Sequence, residues 1–265
     1  MTVETDLALP PAVFPDVEPP PRATPETLPA GAVARLELLL REPDAFLAAL
    51  ERMESSPEAS AEGTSLARAL LGAVVVGAGL FGAVVGAHRG ALQAMYCAVK
   101  VPMILLVTLA VCAGPFVAFT RAAGLPLRAR GVIALALGSC ARFALVLIGL
   151  APFVWLMEGW SMGYHRVILA VVAACATAGA FAGRLLFSGL ARSGAAGLRV
   201  GLAFVTVFAL TGAQASWILR PYVVRPRTER IPFVRALDGD VLDALGTSTR
   251  SAVRGETRCL GSSCE

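Results

Sequence analysis

The sequence predicts an all-α integral membrane protein, a bundle of about five transmembrane helices preceded by a disordered N-terminal tail. Three observations predict it. First, 56% of the 265 residues are hydrophobic and 16% are charged, where soluble domains carry roughly 25% charge. Second, the charge is partitioned. Residues 1–62 hold twelve of the nineteen acids and four arginines, a local balance of −8, whereas residues 63–228 contain one acid, Glu158. A charge at the bilayer centre costs ~2.5–3.5 kcal/mol even on lenient insertion scales, so a run this poor in carboxylates suits hydrocarbon. Third, five apolar stretches, roughly 69–87, 101–120, 137–157, 167–183 and 200–219, approach the ~20 residues that a helix needs to cross ~30 Å of lipid. Too little polar surface remains to coat a soluble particle. Collagen, coiled coil, a disulfide-rich scaffold and wholesale disorder are excluded by the same composition.

The elements follow in order. Residues 1–30 are rich in proline and acid and lack the basic start and apolar core of a signal peptide, so an extended, disordered tail is expected. Over 31–65 the spacing becomes helical, with Leu36, Leu39 and Leu40, then Phe46, Leu47, Leu50 and Met53. Pro43 interrupts it, which predicts an amphipathic juxtamembrane helix or a broken helix pair, near the membrane or against the bundle. Glu37, Glu42 and Glu51 on its polar side suit an anionic lipid surface poorly. The bundle takes residues 66–220 and a polar C-terminal tail takes 221–265. Its apolar runs are continuous, which predicts helices and not the alternating strands of a barrel. The approaches 91–99 and 131–136 either extend their helices or lie at the interface. The fourth span is the shortest, and the most open to partial insertion.

Small residues set helix contacts in lipid, where no hydrophobic force acts between helices. Gly82 with Gly86 and Gly179 with Gly183 each form a GxxxG. Both are expected to pack inside the chain's own bundle, a dimer seam being the functional alternative. Pro115 and Pro152 fall inside spans two and three, and kinks are expected there. Short-loop arginines set the orientation. Arg121, Arg128, Arg130, Arg184, Arg192 and Arg199 lie on one face, with only Arg89 and Arg166 on the other. This places the N-terminus in the cytoplasm of a cell inner membrane. All six tryptophans and tyrosines then fall at the outer face, while Arg220, Arg225, Arg227 and Arg230 in the C-terminal tail weigh against that orientation.

Ionisable groups within spans are the first functional candidates. Arg142 sits inside span three, Lys100 precedes span two and Arg184 closes span four, each near enough to an end to carry its charge to water. Arg142 is the strongest of them, as an internal cation for backbone carbonyls or an anionic group. Lys100 and Arg184 read as boundary anchors, and Gln214 as a hydrogen-bonding group between helices. No carboxylate lies within a span to serve a proton or sodium relay. His88 and His165 are in loops, and there is no HExxH, phosphate loop or dinucleotide fingerprint. No cofactor, metal or nucleic acid is expected, the basic residues being dispersed at span ends. Cys97, Cys112, Cys140 and Cys175 read as small packing residues. Cys259 and Cys264 form a short disulfide loop if the C-terminal tail is extracytoplasmic.

Two stretches, YCAVKVPMILLVTLAVCAGPFVAF at 96–119 and GAQASWILRPYV at 212–223, resemble a widespread bacterial family of uncharacterised multi-pass membrane proteins. Lys100 and Pro102 would occupy its alanine/lysine/proline approach to an apolar helix. Trp217, Arg220 and Pro221 would occupy its tryptophan–x–leucine–arginine–proline exit from the last helix. The likeness covers about residues 66–245, and span number and N-terminal tail are more loosely similar to Yip1-type proteins. It implies a multi-pass helical fold and brings no active site. The expectation is therefore a non-enzymatic membrane protein that organises or partners other membrane components, in contact with the bilayer and with other membrane proteins or a second copy. The alternative is a transporter or permease subunit, with an anion path near Arg142 shaped by Pro115 and Pro152.

Overall fold

Hydrocarbon offers no partner to a backbone N–H or C=O, so each segment that crosses it must close its own hydrogen-bond ladder. The computed structural model, which describes residues 28–29, 31–55, 60–87, 90–159 and 164–219, has five long helices that do so. They are α3 (Ser60–Ala87), α4 (Ala91–Ala122), α5 (Ala129–Gly159), α6 (Tyr164–Ala191) and α7 (Gly194–Ile218), preceded by the shorter α1 (Ala32–Arg41) and α2 (Pro43–Ser55). Among the described residues there is no strand. All five long helices are long and apolar enough to cross a membrane, and the chain is a multi-pass membrane protein of helical-bundle type. Residues 91–99 and 131–136 continue their helices. The fourth span belongs to a helix of 28 residues, as long as α3. Pro115 and Pro152 lie within unbroken helices and face outward, so neither frames an interior cavity. The N-terminal tail through residue 27, and the C-terminal tail with Arg220, Cys259 and Cys264, fall outside the described residues.

The long helices close a ring: α3 packs on α4 and α5, α5 on α6, α6 on α7, and α7 back on α4. The turn between α6 and α7 is only Arg192–Ser193, and Gly194 resolves it with φ +69°, which a side chain would strain. Where the ring closes, Phe116 of α4 stacks on Phe204 of α7 with centroids 3.9 Å apart. The two ends differ in chemistry. All eleven arginines with described side chains lie in the half of the bundle nearest α1 and α2, while Tyr96, Trp155 and Trp217 lie toward the other end.

The α3–α4 seam is one of close backbone approach. A methyl group on Gly82 would collide with the Cys97 carbonyl, and one on Gly86 would stand 2.5 Å from the Gln93 carbonyl. This GxxxG therefore works inside the chain, as its sequence predicts. The other does not: nothing approaches within 4 Å of a methyl group on Gly179, and Gly183 meets only Phe187 of its own helix, at 4.0 Å.

Helices α1 and α2 form a bent pair on the arginine-rich end, broken at Glu42–Pro43. Phe46 is fully buried, its ring 3.2 Å from where a methyl group on Gly138 of α5 would stand, and Leu47 similarly fills the notch at Gly189 of α6. Leu39, Phe46, Leu47 and Leu50 join one core with Leu66 and Leu70 of α3, Leu135 of α5 and Leu185 of α6. An ion pair of 2.6 Å between Arg192 and Glu51 ties the rim of α2 to the α6–α7 turn.

The two GxxxG pairs should respond oppositely to the same small change. Gly82→Ala and Gly86→Ala should each cost about 1–3 kcal/mol by overpacking the seam. Gly179→Ala should stay within about 0.5 kcal/mol of the parent. Unfolding in detergent, followed by circular dichroism, measures all three.

Candidate functional site

Among the described residues, the charge furthest from a helix end is Arg142. It lies thirteen residues into α5, roughly 20 Å along the axis at about 1.5 Å per residue, and is 5% exposed. Three elements converge on it. Its Nη2 donates to the carbonyl of Leu40, in the last turn of α1, over a long 3.5 Å. Helix C-termini carry partial negative charge, so this corner suits a cation. From α6, the Phe181 ring lies 5.9 Å from the guanidinium carbon, within the range of a cation–π contact. One turn on, Arg184 is exposed and adds a like charge, while Asp44, exposed near the start of α2, adds an opposite one from beyond ion-pair range. Nε and Nη1 of Arg142 are both buried, and neither has an acceptor among the described residues.

The expectation that Arg142 and Lys100 carry their charges out to water is overturned. The α1–α2 corner and Phe181 close over Arg142. Lys100 is fully buried on the inward stripe of α4, which it shares with Gln93, Cys97 and Thr108 at helical spacing. It is thus enclosed by protein and does not reach the surface. Arg184 is exposed. Gln214 is exposed on α7 and makes no hydrogen bond to another helix among the described residues, so the bond expected of it is absent there. Arg142 and Arg184 come together; Lys100 lies toward the opposite end, and Gln214 is apart from both. Cys97, Cys112, Cys140 and Cys175 form no disulfide among the described residues.

Two residues were not anticipated. Arg35 of α1 is buried; its Nε donates to the Pro29 carbonyl and its Nη1 to the Ser65 hydroxyl of α3, both at 2.7 Å. Its signal in the sequence is position: it stands one turn before Leu39, on the apolar stripe and not opposite it. Gln93 is fully buried one turn before Cys97, to whose sulfur it donates at 3.4 Å. A separate cavity of about 410 Å³ lies between α2, α3 and α5, lined mostly by Leu50, Met53, Leu66, Leu70 and Leu137, with Thr64 and Arg130 as its polar groups. Among the described residues, no three metal-ligating side chains gather.

The buried Arg35 bonds can be tested directly. Arg35→Ala should lower stability by about 1.5–3 kcal/mol, because it strands the Pro29 carbonyl and the Ser65 hydroxyl. Limited proteolysis should then cut within α1–α2 first, with Arg35→Lys intermediate.

The chain matches no protein-family model, no curated protein and no solved structure.

Proposed function

We propose that this is a non-enzymatic protein of a bacterial inner membrane, with its N-terminus in the cytoplasm, that organises or partners other membrane components by helix packing within the bilayer. The observation that carries this reading is the open face of α6. Val172, Ala176, Gly179 and Ala180 are exposed there, and nothing approaches a methyl group on Gly179. In lipid, such small-residue faces let a second helix come close. The orientation rests on the arginine half of the bundle and on the aromatic residues toward the other end. The likeness of segments 96–119 and 212–223 to a bacterial multi-pass family points the same way. On this reading the acid-rich N-terminal segment is a cytoplasmic tether for a basic partner.

A photo-crosslinker at position 176 in native membranes should capture a second copy or another membrane protein, and Gly179→Leu should abolish capture without affecting folding. Capture that is absent, or indifferent to the leucine, would overturn the reading. A second reading, a transporter or permease subunit with an anion path at Arg142, draws on the buried guanidinium alone. It requires chloride or phosphate flux in proteoliposomes that Arg142→Gln abolishes.

A further inference from the structure

Three charged side chains are buried among the described residues: Arg35, Lys100 and Arg142. Arg35 spends its guanidinium on a carbonyl and a hydroxyl. Arg142 is provided for differently. Of its nitrogens, Nη2 has one long bond to Leu40, while Nε and Nη1 find no acceptor. A buried guanidinium left this way is costly unless an anion completes it. Among the described residues, the acid whose charge bears on it is Asp44, which is exposed and makes no ion pair with it. The other charge beside it is a second arginine, Arg184.

We propose that Arg142 and Arg184 together bind a phosphate group where the α1–α2 corner meets α6, the Phe181 ring and the Leu40 turn giving way to admit it. The chemistry of the site selects this class. A guanidinium presents a planar fork that matches two oxygens of one oxyanion, and a neighbouring cation suits a group with more than one charged oxygen. The level also fits. Arg184 follows the apolar stretch 167–183 and is exposed, which is where a helix meets headgroups, and it stands one turn beyond Phe181, whose ring lies 5.9 Å from the Arg142 guanidinium carbon. Phe181 and Leu40, both exposed beside Arg142, offer apolar surface that an acyl chain would cover. The phosphate therefore comes either from an anionic lipid headgroup or from free phosphate, and Asp44 holds the site against weaker anions by competing for it. This proposal needs neither transport nor helix partnering.

The test uses the full chain and two probes. In the first arm, protein is recovered from nanodiscs of phosphatidylglycerol and phosphatidylcholine, and retained lipid is measured by native mass spectrometry. In the second, inorganic phosphate is titrated into detergent-solubilised protein and the midpoint of thermal unfolding is followed. Enrichment of phosphatidylglycerol assigns the site to the headgroup. A phosphate-dependent rise in midpoint without lipid preference assigns it to the free ion. In whichever arm responds, Arg142→Lys, which keeps the charge but loses the fork, should weaken binding by about tenfold, the size of one charge-assisted hydrogen bond. Arg184→Gln should weaken it several-fold, Asp44→Asn should strengthen it, and Arg121→Gln, an exposed arginine elsewhere, should leave it unchanged. If Arg142→Lys does not fold, the Arg184 and Asp44 variants decide. Silence in both arms overturns the proposal, as does an equal loss in Arg121→Gln. So does an Asp44→Asn variant that melts earlier with binding unchanged, since Asp44 would then be the counter-charge.

Discussion

A bilayer charges heavily for an unpaired backbone group and for an ion, and both penalties shape this chain. The first restricts each crossing segment to a helix. The second sorts the ionisable residues by depth: the described arginines gather in one half, and Glu158 is the only acid from residue 63 to residue 228. Among the described residues, Arg35, Lys100 and Arg142 are the exceptions that protein, not water, encloses. Enclosing a cation requires helices around it, so the ring of α3 to α7 and the α1–α2 pair are conditions for these residues as much as products of the sequence.

Packing within the ring follows from what lipid fails to supply. Leucine gains little by leaving an acyl chain for another leucine, so close approach must come from shape. The α3–α4 seam uses glycine to bring backbones together, and the α4–α7 seam uses the stacked rings of Phe116 and Phe204. The α1–α2 pair uses both devices, setting Phe46 and Leu47 into notches at Gly138 and Gly189. Glycine serves both the α3–α4 seam and the seats of Phe46 and Leu47, and only its surroundings distinguish a filled notch from the open one at Gly179.

This is also why the sequence is readable in some places and opaque in others. The five spans were legible because apolar length is a one-dimensional property, and the break at Pro43 because proline acts on its own helix. The fates of the two GxxxG pairs were not, since Gly82 and Gly179 look alike until the partner helix is known. Arg142 stood out as a residue, but its burial depends on Leu40, about a hundred positions earlier, and no local spacing encodes that. Lys100 misled for the same reason: proximity to a helix end predicts access to water only when no neighbour covers it. Arg35 is opaque for the same reason, since its role comes from the Pro29 carbonyl and from Ser65 of another helix.

The docking of α1 and α2 sets an order on biosynthesis. Ribosomes release this pair first, yet Gly138 and Arg142 emerge roughly a hundred residues later and Gly189 later still. Until the fourth long helix is inserted, Phe46 and Leu47 have no complete seat and remain available to chaperones and proteases. A chain that stops short of α6 would thus leave bare an apolar pair that the finished bundle covers.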